Sequence, residues 1–273
     1  MLIGSHQSIT KSVDLSIQRA LADGCECLQI FTKNNNRWEG KPISAEEAGR
    51  FRDGIITSGL KVCAHSCYLI NLASFDNDTY GKSVNCYRDE LSRCDRLGIP
   101  YYVMHPGAHT GRGVEAGVRR IAESIDAAYD RGFECMTLLE MTAGQGTGIG
   151  HTIEEMLAII EAAHSRDNIG ICLDSAHIYA AGYDIKGDYE GVVKQMFASY
   201  GSRIKVFHLN DSKKPLASRV DRHELIGRGE IGADFFKKAV NDSRFSDILG
   251  ILETPVSENY KKEIELLKSY RES

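Results

Sequence analysis

The sequence predicts a (β/α)₈ barrel, the TIM-barrel architecture of the α/β class, built as a single domain over residues 1–273. Three observations predict it. Short β-branched runs alternate with amphipathic, helix-period segments from end to end, and no Pro- or Ser-rich linker interrupts them. Eight such pairs occupy the 273 residues, about 34 residues per pair, which suits a barrel of ~250 residues with modest loop insertions. The carboxyl ends of the runs also carry His, Asp or Glu at nearly constant intervals. Strands that alternate with helices pair in parallel through right-handed crossovers, because no tight turn reaches a parallel neighbour. An open doubly wound sheet is the competing arrangement, but residues 2–8 hold one glycine, Gly4, where its glycine fingerprint would lie.

The elements follow in chain order. A strand over 2–5 leads to a helix over 10–23 that Gly24 ends, and a strand over 28–32 leads to a helix over 44–58. Ser44 with Glu47 three residues later forms a reciprocal capping box there, and Gly59 closes the helix. The third pair is 61–65 and 80–97, closed by Gly98, and the fourth is 101–105 and 113–131. The fifth strand, 136–140, precedes a helix over 152–164 that Thr152 and Glu155 cap in the same way. Between them Gly144, Gly146, Gly148 and Gly150 fit neither phosphate-binding pattern and read as a flexible loop open to close backbone approach. The remaining pairs are 170–174 with 188–200, 204–208 with 231–241, and 249–253 with 257–271.

Composition narrows the class. With 42% hydrophobic and 26% charged residues and 5 Pro, the chain is globular rather than disordered, collagenous or coiled-coil. Its apolar runs, such as 169–173, fall far short of the ~20 residues a membrane helix needs, and residues 1–7 lack a signal peptide's pattern. A cytoplasmic protein without membrane contact is expected. Eight cysteines include no CxxC pair, which argues against a zinc ribbon or a thioredoxin-like motif and for small buried hydrophobes. The net charge of −5 opposes polybasic, non-specific nucleic-acid binding but leaves a locally positive cleft open.

His65, His105, Glu140, Asp174, His208 and Glu253 end successive runs at intervals of 40, 35, 34, 34 and 45 residues, with His177, Asp221 and His223 in adjoining loops. Parallel strands of a barrel converge at their carboxyl ends, so that spacing gathers these residues at the mouth, where barrel enzymes keep their sites. One His or Asp at a strand end is usually structural or a helix cap. Nine ligands, five of them imidazoles, exceed what capping uses. They also exceed the four or five positions of one zinc, so two or three metals with a bridging carboxylate are expected. Imidazole and carboxylate without thiolate suit Zn²⁺ or Mn²⁺. Paired divalent ions clamp both oxygens of an in-line displacement, and the chemistry points to hydrolysis at phosphorus.

These residues stand in segments that resemble the endonuclease IV family, zinc-dependent endonucleases that act at abasic sites in DNA base-excision repair. The resemblance covers the whole chain. It runs through Phe31-Thr-Lys-Asn34, Ala64-His-Ser-Cys-Tyr-Leu-Ile-Asn-Leu72, Met104-His-Pro-Gly107, Leu139-Glu-Met-Thr-Ala-Gly-Gln-Gly-Thr147, Cys172-Leu-Asp-Ser-Ala-His177, His208-Leu-Asn-Asp-Ser-Lys213, Ser218-Arg-Val-Asp-Arg-His223 and Leu252-Glu-Thr254. It implies three zinc ions per chain, with Mn²⁺ an alternative at one site. His65, His105 and Glu140 would hold the first, Glu140, Asp174, His208 and Glu253 the second, and His177, Asp221 and His223 the third. It further implies a monomer that binds abasic double-stranded DNA and cuts the phosphodiester 5′ to the lesion. The products would be a 3′-hydroxyl and a 5′-deoxyribose phosphate, with 3′-phosphodiesterase activity besides.

Glu140 and Glu253 would be the catalytic carboxylates, Glu253 holding or receiving the proton of the attacking water. The nucleotide is reached by flipping it out, and in the family an aromatic and a Leu fill the gap, positions that map to Tyr68 and Leu69. The Arg that enters the duplex maps to Arg37, displaced by one position so that Asn36 stands in its place. Two further departures, Met141 after Glu140 and Ser175-Ala176 after Asp174, alter the surroundings of ligands, a kind of change that typically costs about 10 to 100-fold in metal affinity or activity. A metal-dependent sugar isomerase or epimerase of the same barrel group is the alternative, though it has no use for the trio His177, Asp221 and His223. A lesion-binding protein without turnover is a third reading, opposed by the complete ligand set.

Overall fold

A computed structural model describes residues 1–256 and 259–271. Eight parallel strands close into a barrel: β1 (Leu2–Gln7), β2 (Cys27–Phe31), β3 (Lys61–His65), β4 (Tyr101–Met104), β5 (Met136–Glu140), β6 (Ile169–Asp174), β7 (Ile204–His208) and β10 (Leu249–Leu252). Each pairs with its neighbours in sequence, and β1 closes the ring against β10 in the register Leu2 to Leu249 and Ser5 to Leu252. Between the strands lie α1 (Leu15–Asp23), α2 (Ala45–Ser58), α3 (Asn77–Leu97), α4 (Val114–Tyr129), α5 (Ile153–Ala162), α6 (Ser175–Ala181), α7 (Tyr189–Tyr200), α8 (Ala233–Asn241) and α9 (Lys261–Ser269). Ser44 and Thr152 cap α2 and α5 by accepting from Glu47 N and Glu155 N, but the expected reciprocal half is replaced: the Glu47 carboxylate accepts from Val13 N and the Glu155 carboxylate from Gly150 N and His151 N.

The core has two parts. A large shell of Ile, Leu, Phe and Tyr fills the space between barrel and helices. A smaller cluster of Cys27, Cys63, Val103, Leu138, Cys172, Val206, Leu249 and Ile251 fills the barrel itself. Side chains alternate faces along a strand, so the residue two positions on from each inward one also points inward, one layer nearer the mouth. Cys63 is followed in that way by His65, Val103 by His105, Leu138 by Glu140, Cys172 by Asp174, Val206 by His208 and Ile251 by Glu253. An apolar layer thus carries a polar layer above it. All eight cysteines are buried and unpaired, three of them inside the barrel as small hydrophobes.

Several expectations are corrected. The first helix begins at Leu15 rather than residue 10, because Lys11 takes φ 79° and the chain turns before the helix can start. The segment after Asp174 forms α6, seven residues too short and too buried to show an amphipathic period; the Asp174 carboxylate caps it by accepting from His177 N. Beyond β7 the chain adds an antiparallel ribbon of β8 (Asp211–Ser212) and β9 (His223–Glu224), which sequence periodicity cannot register at two residues each. The glycine-rich stretch is tied to the loop after β4, Ile149 N donating to Gly107 O at 2.8 Å and His109 N to Thr147 O at 3.0 Å. Gly144 and Gly150 there have φ of 76° and 94°, and an added Cβ would meet His151 and Met156 at 2.9 Å, so the close approach expected of this backbone is made by the protein's own side chains. The last helix starts at Lys261, and residues 257 and 258 of its expected span lie outside the described residues.

Candidate metal centre

The polar layer converges on Glu140, which is 1% exposed at the end of β5. Its Oε2 lies 3.0 Å from His65 Nε2 and 3.2 Å from His105 Nε2. Its Oε1 lies 3.1 Å from His208 Nδ1 and 3.2 Å from His177 Nδ1. One carboxylate therefore faces two separate groups of ligand atoms, as a bridging ligand must. His208 Nδ1 is also 3.2 Å from Glu253 Oε2 and 3.7 Å from Asp174 Oδ2. Asp221 closes the third group, its two oxygens each 3.2 Å from His177 Nε2 and His223 Nε2. All nine residues singled out in the sequence stand around one mouth. Asp174 does more than expected of it, because its carboxylate groups with His177 and His223 as well as with Glu140, His208 and Glu253.

The donor set fits divalent cations. The ligand atoms of His65, His105 and Glu140, and those of Glu140, Asp174, His208 and Glu253, lie within 4.8 Å of one another in each group. His177 Nε2 and His223 Nε2 are buried without a hydrogen-bond partner although Asp221 stands beside both, the arrangement expected of lone pairs aimed at a shared cation. His177 is oriented from behind by its Nδ1, 3.0 Å from Met141 O. The contact is to main chain, so the Met141 side chain, packed in the core with Tyr200 OH on its sulfur, does not alter it. Ser175 likewise holds its surroundings together, its hydroxyl bonding His208 O, Asn210 O and Asn210 N.

Electrostatics in the protein alone favour protons on His65, His177, His208 and His223. Burial opposes charge on His65, but the hydrogen bond and charge of Glu140 outweigh it and raise its pKa to about 9. His223 is likewise raised to about 9, burial being overcome by Asp174 and Asp221. His177 and His208 are raised too, against burial, by Asp174 with Asp221 and by Glu253 with Glu140. Burial alone would push Glu140 up, yet the imidazoles of His105 and His208 hold it well below the ordinary carboxylate range. Two outcomes follow for chelator-treated protein. Its stability from His65 and His223 is fully present below the unfolded value of about 6.5 and is lost as pH rises through about 9. A divalent cation bound there must displace these protons, so adding zinc as the probe at pH 7.5 should release protons, and zinc affinity should climb as pH rises toward 9. A pH-indicator titration checks this, and zinc uptake with no proton release would contradict the stored charge.

Beside the ligands the mouth is lined by His6, Phe31, Tyr68 and Tyr260. Tyr68 is 68% exposed and meets the edge of Phe31 at 5.6 Å, so it belongs to the rim and not to the core. Leu69 beside it is half-buried, while Asn36 and Arg37 are exposed on the loop after β2. The two loops are linked by Tyr68 N, which donates to Asn35 O at 3.0 Å. Sequence reasoning missed the residues behind the ligands. Gln29 donates to Glu253, and Asn210 donates to Asp174 while accepting from Glu253 N. A lone polar residue in the run Cys27-Leu-Gln-Ile-Phe31 was the available signal for Gln29.

Residues 17–270 match the model of the xylose isomerase-like TIM barrel family. The chain is 45% identical over 259 residues to "Probable endonuclease 4" of Trichlorobacter lovleyi, with 93% of this chain and 92% of that protein covered. It is 44% identical over 276 residues to the protein of the same name from Geotalea daltonii, with 99% and 97% covered. Among solved structures, endonuclease IV from Thermus thermophilus superposes with a TM-score of 0.89 at 33% identity, covering 99% of this chain and 98% of that one. A D-tagatose 3-epimerase-like protein superposes at 0.75 with 19% identity, a likeness of fold.

Proposed function

The chain belongs to the endonuclease IV family of xylose isomerase-like TIM barrels, and on that premise we propose that it is a DNA-repair endonuclease hydrolysing the phosphodiester 5′ to abasic sites. The observation that carries the chemistry is one buried carboxylate, Glu140, between two ligand groups at the barrel mouth. Three Zn²⁺ ions are proposed, with Mn²⁺ an alternative at one: one on His65, His105 and Glu140, one on Glu140, Asp174, His208 and Glu253, and one on His177, Asp221 and His223. Bound there, divalent ions supply positive charge against the phosphodiester and make water nucleophilic near neutral pH. They would also more than offset the net charge of −5 at the place where phosphate approaches.

The chain's own groups do the rest. Glu253 is 20% exposed at its side chain, the most open carboxylate of the second group, which supports it as the group that takes the proton of the attacking water. Tyr68, which lines the mouth, and its neighbour Leu69 are the side chains proposed to fill the space left by a flipped nucleotide. Arg37 and Asn36 reach the duplex from the neighbouring loop. The single catalytic domain is proposed to act as a monomer in the cytoplasm; among the described residues no helix is long and apolar enough to cross a membrane.

The test is incision of a duplex carrying one tetrahydrofuran abasic analogue. Zinc-loaded protein should cut 5′ to the analogue and leave a 3′-hydroxyl, and borohydride should trap no protein on natural abasic DNA, because no lysine Schiff base takes part. The same site should remove 3′-phosphodiester blocks. A lyase product, or sugar isomerisation without nicking, would overturn the assignment. An epimerase leaves the group of His177, Asp221 and His223 without a task, whereas a phosphodiester has a departing oxygen for a third cation to neutralise.

A further inference from the structure

Gln29 touches no substrate position, yet one carboxamide reaches two proposed ligands on different strands. It lies on β2, fully buried and two residues on from Cys27, which places it in the same polar layer as the ligands. Its oxygen lies 2.9 Å from His208 Nε2 and accepts from Cys63 Sγ at 3.5 Å. Its nitrogen donates to Glu253 Oε1 at 2.6 Å and stands 3.0 Å from His6 Nδ1. The amide has one workable orientation. Turned over, its oxygen would face the Glu253 carboxylate oxygen at that short distance with no proton between them.

The consequences propagate outward. With the Gln29 oxygen as acceptor, His208 must carry a proton on Nε2, which leaves Nδ1 to face Glu140, Glu253 and Asp174 at 3.1, 3.2 and 3.7 Å. With Oε1 of Glu253 held by the amide, Oε2 is the oxygen turned toward His208. His6, whose ring lies 4.2 Å from Phe31, completes the assembly by accepting on Nδ1. The third ligand group has separate supports, since His177 leans on Met141 O and His223 Nδ1 lies 3.3 Å from Glu253 O.

We propose that Gln29 is a positioning residue of the metal centre, selecting the tautomer of His208 and the presented oxygen of Glu253, and so tuning the Glu140, Asp174, His208 and Glu253 site while leaving the other ligand groups unaffected. The inference rests on the ligand assignment made above. Groups that orient metal ligands typically contribute about 10 to 100-fold in affinity or activity.

Gln29→Met, close in volume and without hydrogen bonds, tests it in the full chain, with zinc itself as the probe in competition against a chromophoric chelator. One zinc should be released at about 10 to 100-fold lower chelator strength, the others holding as in wild type. kcat should fall while KM for the abasic duplex stays within about twofold, because the DNA-contacting loops are untouched. Gln29→Glu keeps the shape and the acceptor but sets a second carboxylate against Glu253, and the same single zinc should weaken. If the Met variant does not fold, the Glu variant decides alone. Zinc binding unchanged in the folded variants overturns the proposal, as does an equal loss at every site alongside a lower melting temperature. Wild-type protein that takes up no zinc would instead overturn the metal centre itself.

Discussion

Glu140→Gln is expected to lose at least one zinc and to reduce incision by at least about 100-fold, since changes merely behind a ligand already cost about 10 to 100-fold. The substitution preserves shape and burial but removes the one charge shared by two ligand groups. Glu140 presents Oε2 to His65 and His105 and Oε1 to His208 and His177, four imidazoles within 3.2 Å. A carboxamide offers one oxygen and one NH₂, so at least one pair of imidazoles would meet a donor where it needs an acceptor. Two dications on either side would lose the negative charge that shields them from each other, and in the low dielectric of a side chain 1% exposed that repulsion is large. Elemental analysis of zinc alongside incision of an abasic duplex reads both effects. Normal zinc content with normal incision would remove Glu140 from the centre.

The reason Glu140 and five other proposed ligands are legible in the sequence is geometric. Each is the next inward residue after a member of the barrel's apolar layer, so strand period and strand spacing together place it at the mouth. The loop ligands His177, Asp221 and His223 have no such period. They are legible through the resemblance, and α6 and the β8–β9 ribbon that carry two of them are too short to leave a pattern. Gln29 is different again. Its contact with Glu253 spans 224 residues and exists because β1 joins β2 to β10 once the barrel closes. Nothing local couples the two positions. At Met141 and Ser175 sequence displays only the side chain, whereas His177 is held by the Met141 carbonyl and Ser175 secures main chain at His208 and Asn210.

Tyr68→Ala should separate DNA binding from everything else the barrel does. The residue follows His65 by three positions, yet it supplies no ligand and is 68% exposed at the rim. Its ring meets Phe31 edge-on at 5.6 Å, a contact worth about 0.5 to 1.5 kcal/mol, so truncation should lower stability by no more than that. A buried aromatic would cost roughly 3 to 5 kcal/mol instead. Stacking of a base on an aromatic is worth about 1 to 3 kcal/mol, and loss of the whole contribution weakens binding of an abasic duplex by about 5 to 150-fold. The loop itself should keep its place, because Tyr68 N bonds Asn35 O through main chain that alanine retains. Zinc content should therefore be normal, and the adjoining loop that carries Asn36 and Arg37 should keep its place. Melting temperature, zinc content and abasic-duplex affinity measured on this one variant discriminate the outcomes: a large fall in melting temperature with affinity intact would make Tyr68 a packing residue, whereas weakened binding by a stable, fully metallated protein would mark it as the side chain that occupies the gap in the duplex.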